Sequence, residues 1–211
     1  MVFPLPFRQG LALDPNSAYA HEAYSWYYLI VGRTQDAVPE SQKAVELEPM
    51  SPLAGASLQC TYYYARDYDR GVEQAARTLK IDPNYYEGFL FWGATYEAME
   101  NYRQAVEQWA KIARLFDDEA YAREIMQTFE KGGYKAYLRL DIRRSETNGD
   151  YRGSVAEDYA MLGEKDAAFA ALEKAFAKRS ELVFLKANPA YDNIRSDPRF
   201  ADLLRRMGLP R

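Results

Sequence analysis

The chain has little of what most active sites are made from. Among its 211 residues there is one cysteine, Cys60, and one histidine, His21. A lone cysteine excludes an internal disulfide framework and any multi-thiolate metal site. A lone histidine excludes a His–His metal pair and leaves little acid–base chemistry near neutral pH. No apolar run approaches the roughly 18 to 20 residues of a membrane span, and no signal-peptide pattern opens the chain. A dominant charge is lacking too. Twenty-seven basic against 31 acidic side chains leave a net charge of −4, so nothing global favours nucleic acid. No glycine-rich phosphate loop follows a strand, because no segment reads as a convincing strand. What remains is an ordinary globular composition, 48% hydrophobic and 27% charged, of a length that suits one large domain or two small ones. The excess is in aromatics, which make up 15% of the chain and include 18 tyrosines. Helical layers with tyrosines stacked between them would account for it.

The chain repeats itself. Leu13-Asp14-Pro15, Leu47-Glu48-Pro49 and Ile81-Asp82-Pro83 set their prolines at 15, 49 and 83, two successive spacings of 34. Between them Tyr28, Tyr62 and Tyr96 hold one column; Ala37, Gly71 and Ala105 hold a second; Ala44, Thr78 and Ile112 hold a third. The pattern reads as one antiparallel helix pair per repeat. Small residues in the second column let the helices approach, the tyrosine fills the space between them, and the proline ends the second helix. A single pair cannot bury its apolar face alone, so neighbours must stack into a solenoid.

These columns resemble the tetratricopeptide repeat (TPR), a 34-residue helix–turn–helix. Its numbering gives repeats over 18–51, 52–85 and 86–119; the third matches best, with Trp92, Gly93, Tyr96, Ala105 and Trp109 in register. The first departs at Pro39, which is tolerable only if its second helix starts late; otherwise it costs about 3 kcal/mol. Residues 1–17 look like part of a further repeat cut short. Residues 120–148 break the period: a helix after Asp117-Asp118 runs to Gly132-Gly133, and a second begins at Tyr134. A fourth repeat fits 149–180, on Ala156, Tyr159, Gly163, Ala168 and Ala175. In the tail, 181–211, Asp197-Pro198 starts a helix whose Phe200, Leu203, Leu204 and Met207 form one stripe. That stripe is expected to pack on the fourth repeat as a cap. The fold class is therefore all-α, and the resemblance implies a right-handed superhelical solenoid of helix pairs.

The tail carries a narrower resemblance. Leu182-Val183-Phe184-Leu185-Lys186, Asn188-Pro189, the Ile194–Phe200 segment and the Leu203–Pro210 segment, with Gly132-Gly133-Tyr134 upstream, are similar to an ending found on many bacterial repeat arrays. Those arrays are attached to winged-helix regulators, Ser/Thr kinases or nucleotide cyclases. The resemblance implies a non-enzymatic sensory or interaction module, without family catalytic residues, cofactor or metal. Lacking a membrane span, it is expected in the cytoplasm, or in the periplasm if a parent protein has one.

Each reactive residue has a plain reading. His21 reads as a helix-surface or inter-repeat residue and Cys60 as a small buried hydrophobe. Lys131, Lys135, Arg139 and Arg143 recur every four residues as a basic stripe, read as a solvated face. Family geometry turns one face of each first helix inward. On that face lie Tyr19, Glu22 and Trp26, then Tyr63 and Tyr64, with Phe91 beside the positions of the third repeat. The lysines and asparagines with which chaperone-binding members clamp a carboxylate are absent. Tyr19, Glu22, Trp26, Tyr63, Tyr64 and Phe91 are thus the expected partner site: an aromatic concave groove for a protein segment, a peptide or a small apolar ligand. Glu22, Glu87 and Glu97 favour a basic or amide-rich partner. The alternative is a structural one, self-association into a homodimer through the same aromatic surface.

Overall fold

The computed structural model describes residues 11–148, 155–178 and 182–209. Residues 1–10, most of the shortened first repeat, lie outside it, as do 149–154, where the fourth repeat would begin. Among the described residues there are helices and turns but no strands.

The helices come in consecutive pairs that stack into a TPR-like solenoid: α1 (Ala18–Ile30) with α2 (Thr34–Leu47), α3 (Pro52–Ala65) with α4 (Tyr68–Ile81), and α5 (Tyr86–Ala98) with α6 (Tyr102–Leu115). Local chemistry sets their ends. Ser17 and Ser51 cap α1 and α3, their hydroxyls accepting from the amides of Ala20 and Ala54. Pro52 occupies the first turn, where no intrahelical amide is needed. At the other end α2 and α4 stop at Leu47 and Ile81, two residues short of Pro49 and Pro83. The small-residue column is buried throughout: Ala37 and Ala105 are inaccessible to solvent and Gly71 is buried. Between α1 and α3 the packing is polar at one point. Ser25, Ser41 and Thr61, all fully buried, bond to one another at 2.6, 2.7 and 3.2 Å, and the Thr61 hydroxyl donates to the carbonyl of Ser57 at 2.9 Å, so it acts as the acceptor within the cluster.

Pro39 is not excused by a late start. The helix begins at Thr34 and Pro39 lies inside it, so the carbonyl of Gln35 has no amide four residues on. Both residues are exposed, which leaves that carbonyl to water.

Helix α7 (Glu119–Asn148) is two helices in one run. Gly133, at φ 69° and ψ −166°, breaks it, and the halves fold back on each other: Tyr121 donates to Asp141 at 2.8 Å and Arg144 pairs with Asp118. Its core, Tyr121, Ile125, Tyr137 and Leu138, joins Trp109 and Ile112 of α6. The basic stripe is divided by that break, and Arg139 is engaged by Glu164.

Beyond it α8 (Val155–Met161) and α9 (Lys165–Ala177) pair, followed by a 3-10 turn at Pro189–Tyr191 and α10 (Pro198–Arg206). Phe200, Leu203 and Leu204 of α10 are buried against Ala160, Phe169 and Leu172. The apolar stripe of the tail therefore caps the last repeat, and Arg206 fixes it by a bidentate pair with Glu173 at 2.7 Å.

Candidate functional site

The first helices of the pairs also stack on one another, α1 on α3 and α3 on α5, and the tail packs against this row, the face expected to be the inner one. Trp26 and Tyr64 both reach Phe184, at ring-centroid distances of 6.3 and 5.1 Å. Tyr63 and Tyr64 lie 5.0 Å apart, each 6.4 Å from Phe91. One apolar cluster unites Leu29, Cys60, Tyr63 and Tyr64 with Ala187 from the tail, and Phe91 and Phe184 pack against it. Tyr63, Tyr64 and Phe91 thus share one surface, and Trp26 joins it through Phe184. Tyr63 and Tyr64 are only 5% and 6% exposed. Their phenols are pushed well above 10, first by burial and then by nearby acids and phenols.

Polar contacts hold the tail down. Asn188, 6% exposed, accepts from the Tyr63 hydroxyl at 3.1 Å and donates to Glu157 at 2.7 Å, while its side-chain oxygen also caps the 3-10 turn. Arg66 donates to both oxygens of Asp192, at 2.8 and 2.9 Å, and to the carbonyl of Ala187 at 3.3 Å. Both bonds to Asp192 come from one nitrogen, Nη2, and the bond to Ala187 from Nη1, so the guanidinium spans a side chain and a backbone carbonyl of the tail. Arg66 adopts φ 62°, and the corresponding turn residues Gly32 and Glu100 are also left-handed. Repeat one uses glycine there; repeat two places its tail-binding arginine at that same turn.

The open part of the inner face is at the first repeat. Tyr19 is 77% exposed and Trp26 44%; Leu53 of α3 is also exposed. Trp26 Nε1 donates to Ser57 at 2.9 Å, which fixes the ring while leaving part of its face to solvent. Glu22 sits between them in sequence on α1 and is buried. Its Oε1 has no hydrogen-bond partner among the described residues. Burial raises its pKa above 4.5, a hydrogen bond with Ser57 opposes the shift, and Glu48 adds to it. Nearby Tyr85 is raised as well, by burial and then by Glu87, Glu22 and Asp82. No cation is among the groups that shift either residue.

Glu97 is spent inside the array. It accepts from Trp109 Nε1 at 2.9 Å and from the Tyr134 hydroxyl, so it is a packing residue between α5, α6 and α7. His21 is structural too, tying α1 to Glu40 of α2 at 2.6 Å and to the carbonyl of Pro15. Cys60 is buried, and burial alone holds its thiol far above the ordinary range. Among the described residues no cluster of three or more metal-ligating side chains occurs, and no helix is long and apolar enough to cross a membrane. The sequence reading missed Arg66, Phe184, Asn188 and Asp192. The tail motif contains Phe184 and Asn188, whereas Arg66 and Asp192 carried no signal, because they lie outside both that motif and the inward positions of the repeat.

No protein-family model matches the chain. It is similar to small glutamine-rich tetratricopeptide repeat-containing protein 2 of Saccharomyces cerevisiae, with 20% identity over 137 residues, 65% of this chain. The matched stretch spans 36% of that yeast protein's length. With the stacked helix pairs, the similarity agrees with a TPR-type repeat protein.

Proposed function

We propose that the chain is a non-enzymatic interaction module whose inner face recognises a protein segment, and that the open part at Tyr19, Glu22 and Trp26 takes a basic one. The observation that carries this reading is the pairing of exposed aromatic surface with a buried carboxylate, one oxygen of which has no hydrogen-bond partner among the described residues. Tyrosine and tryptophan supply large, rigid contact area at low entropic cost. Their faces also attract ammonium and guanidinium groups. Glu22, with Glu48 in electrostatic reach and with Glu87 and Asp82 acting beside it on Tyr85, favours a lysine or arginine and opposes an acidic partner. Tyr63, Tyr64 and Phe91 belong to the same recognition face, in the part that the tail covers. The sequence of the tail supports the finer reading, in which the module regulates a bacterial signalling or transcription-regulating protein.

The test uses a peptide array in which lysine or arginine alternates with apolar residues, and a matched array with glutamate in their place. The intact chain should retain basic members. Replacing Tyr19 and Trp26 by alanine should weaken that retention by about tenfold or more, as expected for aromatic hot spots, with far-ultraviolet circular dichroism unchanged. Retention of the acidic array instead, or variants that bind as well as the parent, would remove this site. A mass twice that of the chain in light scattering, lost in the same two variants, would show that the surface serves self-association.

A further inference from the structure

We propose that residues 184–192 are a resident ligand of the inner face, held there by the same contacts with which that face takes a partner segment. The partner's chemistry is then legible from the resident: an aromatic side chain, an amide four residues on, and a carboxylate four residues further, as in Phe184, Asn188 and Asp192. The inference rests on the reading of the inner face as a recognition surface.

Three observations carry it. First, the contacts are those of a bound peptide. Phe184 meets the rings of Trp26 and Tyr64, Asn188 accepts from the Tyr63 hydroxyl, and Arg66 holds both oxygens of Asp192 through Nη2 and the carbonyl of Ala187 through Nη1. Each residue on the receiving side lies more than a hundred positions away in the chain, in repeats one and two. Second, the part of the molecule that presents this segment has a core of its own. Leu182, Leu185, Tyr191 and Ile194 pack with Ala156, Phe169, Phe200 and Leu203, a cluster distinct from the one beneath Tyr63 and Tyr64. Withdrawal of the segment would therefore open only the cluster that Ala187 and Phe184 complete and leave this one intact. Third, the ion pair at the edge is open to solvent, Arg66 and Asp192 being 40% and 48% exposed. Such pairs hold weakly.

A tethered ligand competes through its effective concentration, so a free segment must exceed what the tether provides. A face closed in most molecules raises the apparent dissociation constant of a competitor in proportion, about tenfold if a tenth of the molecules are open.

The experiment uses the full chain and a free peptide with the sequence of residues 182–195. Phe184→Ala with Asp192→Ala, both on the tail, leaves the receiving face intact. This variant should bind the peptide about tenfold more tightly than the parent, and a peptide carrying the same two substitutions should not bind. Equal affinity of parent and variant would overturn the inference. Should the double variant fail to fold, Asp192→Ala alone removes only exposed polar contacts, those with Arg66 and with Arg195 of the tail itself, and it must still bind the peptide more tightly than the parent does. Arg66→Asp should then reject the natural peptide and accept one with arginine in place of Asp192; failure of that exchange also counts against it. A chain that retains basic peptides at Tyr19 and Trp26 but ignores the tail peptide refutes this inference alone. One that retains neither refutes the recognition surface itself.

Discussion

Glu22 shows how much a single position depends on its surroundings. On α1 it occupies an inward position between two exposed aromatics, yet it is buried and its carboxyl is raised above 4.5, first by loss of hydration. A carboxyl whose folded pKa exceeds its unfolded one binds the extra proton in the folded state. Its contribution to stability is therefore present below about pH 4.5 and falls away as pH rises through the folded value. Glu22→Gln should remove that fall: chemical denaturation of the variant should show equal or greater stability at neutral pH and a flatter profile between acid and neutral. A variant less stable than the parent at neutral pH would mean that the ionised carboxylate is favourably held. The two glycines Gly93 and Gly71 separate in the same way. A methyl group added at Gly93 would lie 2.6 Å from the indole carbons of Trp109, whereas at Gly71 it would meet Thr95 at an ordinary 3.5 Å. Gly93→Ala should cost about 1–3 kcal/mol by overpacking. Gly71→Ala should gain up to about 1 kcal/mol of helix propensity and restore the alanine that repeats one and three carry there. Thermal melts of the two variants moving in the same direction would refute this account of the column.

At the scale of elements, the repeat pattern was fully legible. Proline stops act locally and the small column sets the approach within each pair; the serine caps of α1 and α3 went unread in the sequence. The break at Gly133 was legible as well, because a paired glycine rarely continues a helix. The course of α2 was not. Proline disfavours the preceding residue's helical conformation, but tertiary packing of Ala37, Val38, Ser41 and Ala44 against the neighbouring helices holds the segment helical through Pro39. The local cost remains. Pro39→Ala should therefore stabilise the chain by about 1–3 kcal/mol, read as a higher urea midpoint with unchanged slope; no shift would mean that the strain is already relieved.

For the whole molecule, the tail matters twice. It caps the last repeat and it crosses the inner face. Deleting residues 189–211 removes Tyr191, Ile194, Phe200, Leu203 and Leu204, all buried. At about 1.5–3 kcal/mol for each large apolar side chain, the loss rivals the entire stability of a typical domain. The truncated chain should melt far lower or aggregate through the uncovered face of α8 and α9. A soluble deletion with an unchanged melting temperature would show that the last repeat closes by itself.

The family resemblance alone places Tyr19, Glu22, Trp26, Tyr63, Tyr64 and Phe91 on an inward face; what the sequence determined by itself is the periodic part: helix pairs repeating every 34 residues, the columns that pack them and the apolar stripe of α10. These follow from spacing, which a helix of fixed pitch converts directly into faces. Only the tertiary structure decided which of those side chains meet solvent. Tyr19 and Trp26 remain open, while Tyr63 and Tyr64 lie beneath Phe184 and Ala187. The curvature that brings residue 184 to residue 26, and Asp192 to Arg66, is summed over every interface in the stack. No short window of sequence contains that sum.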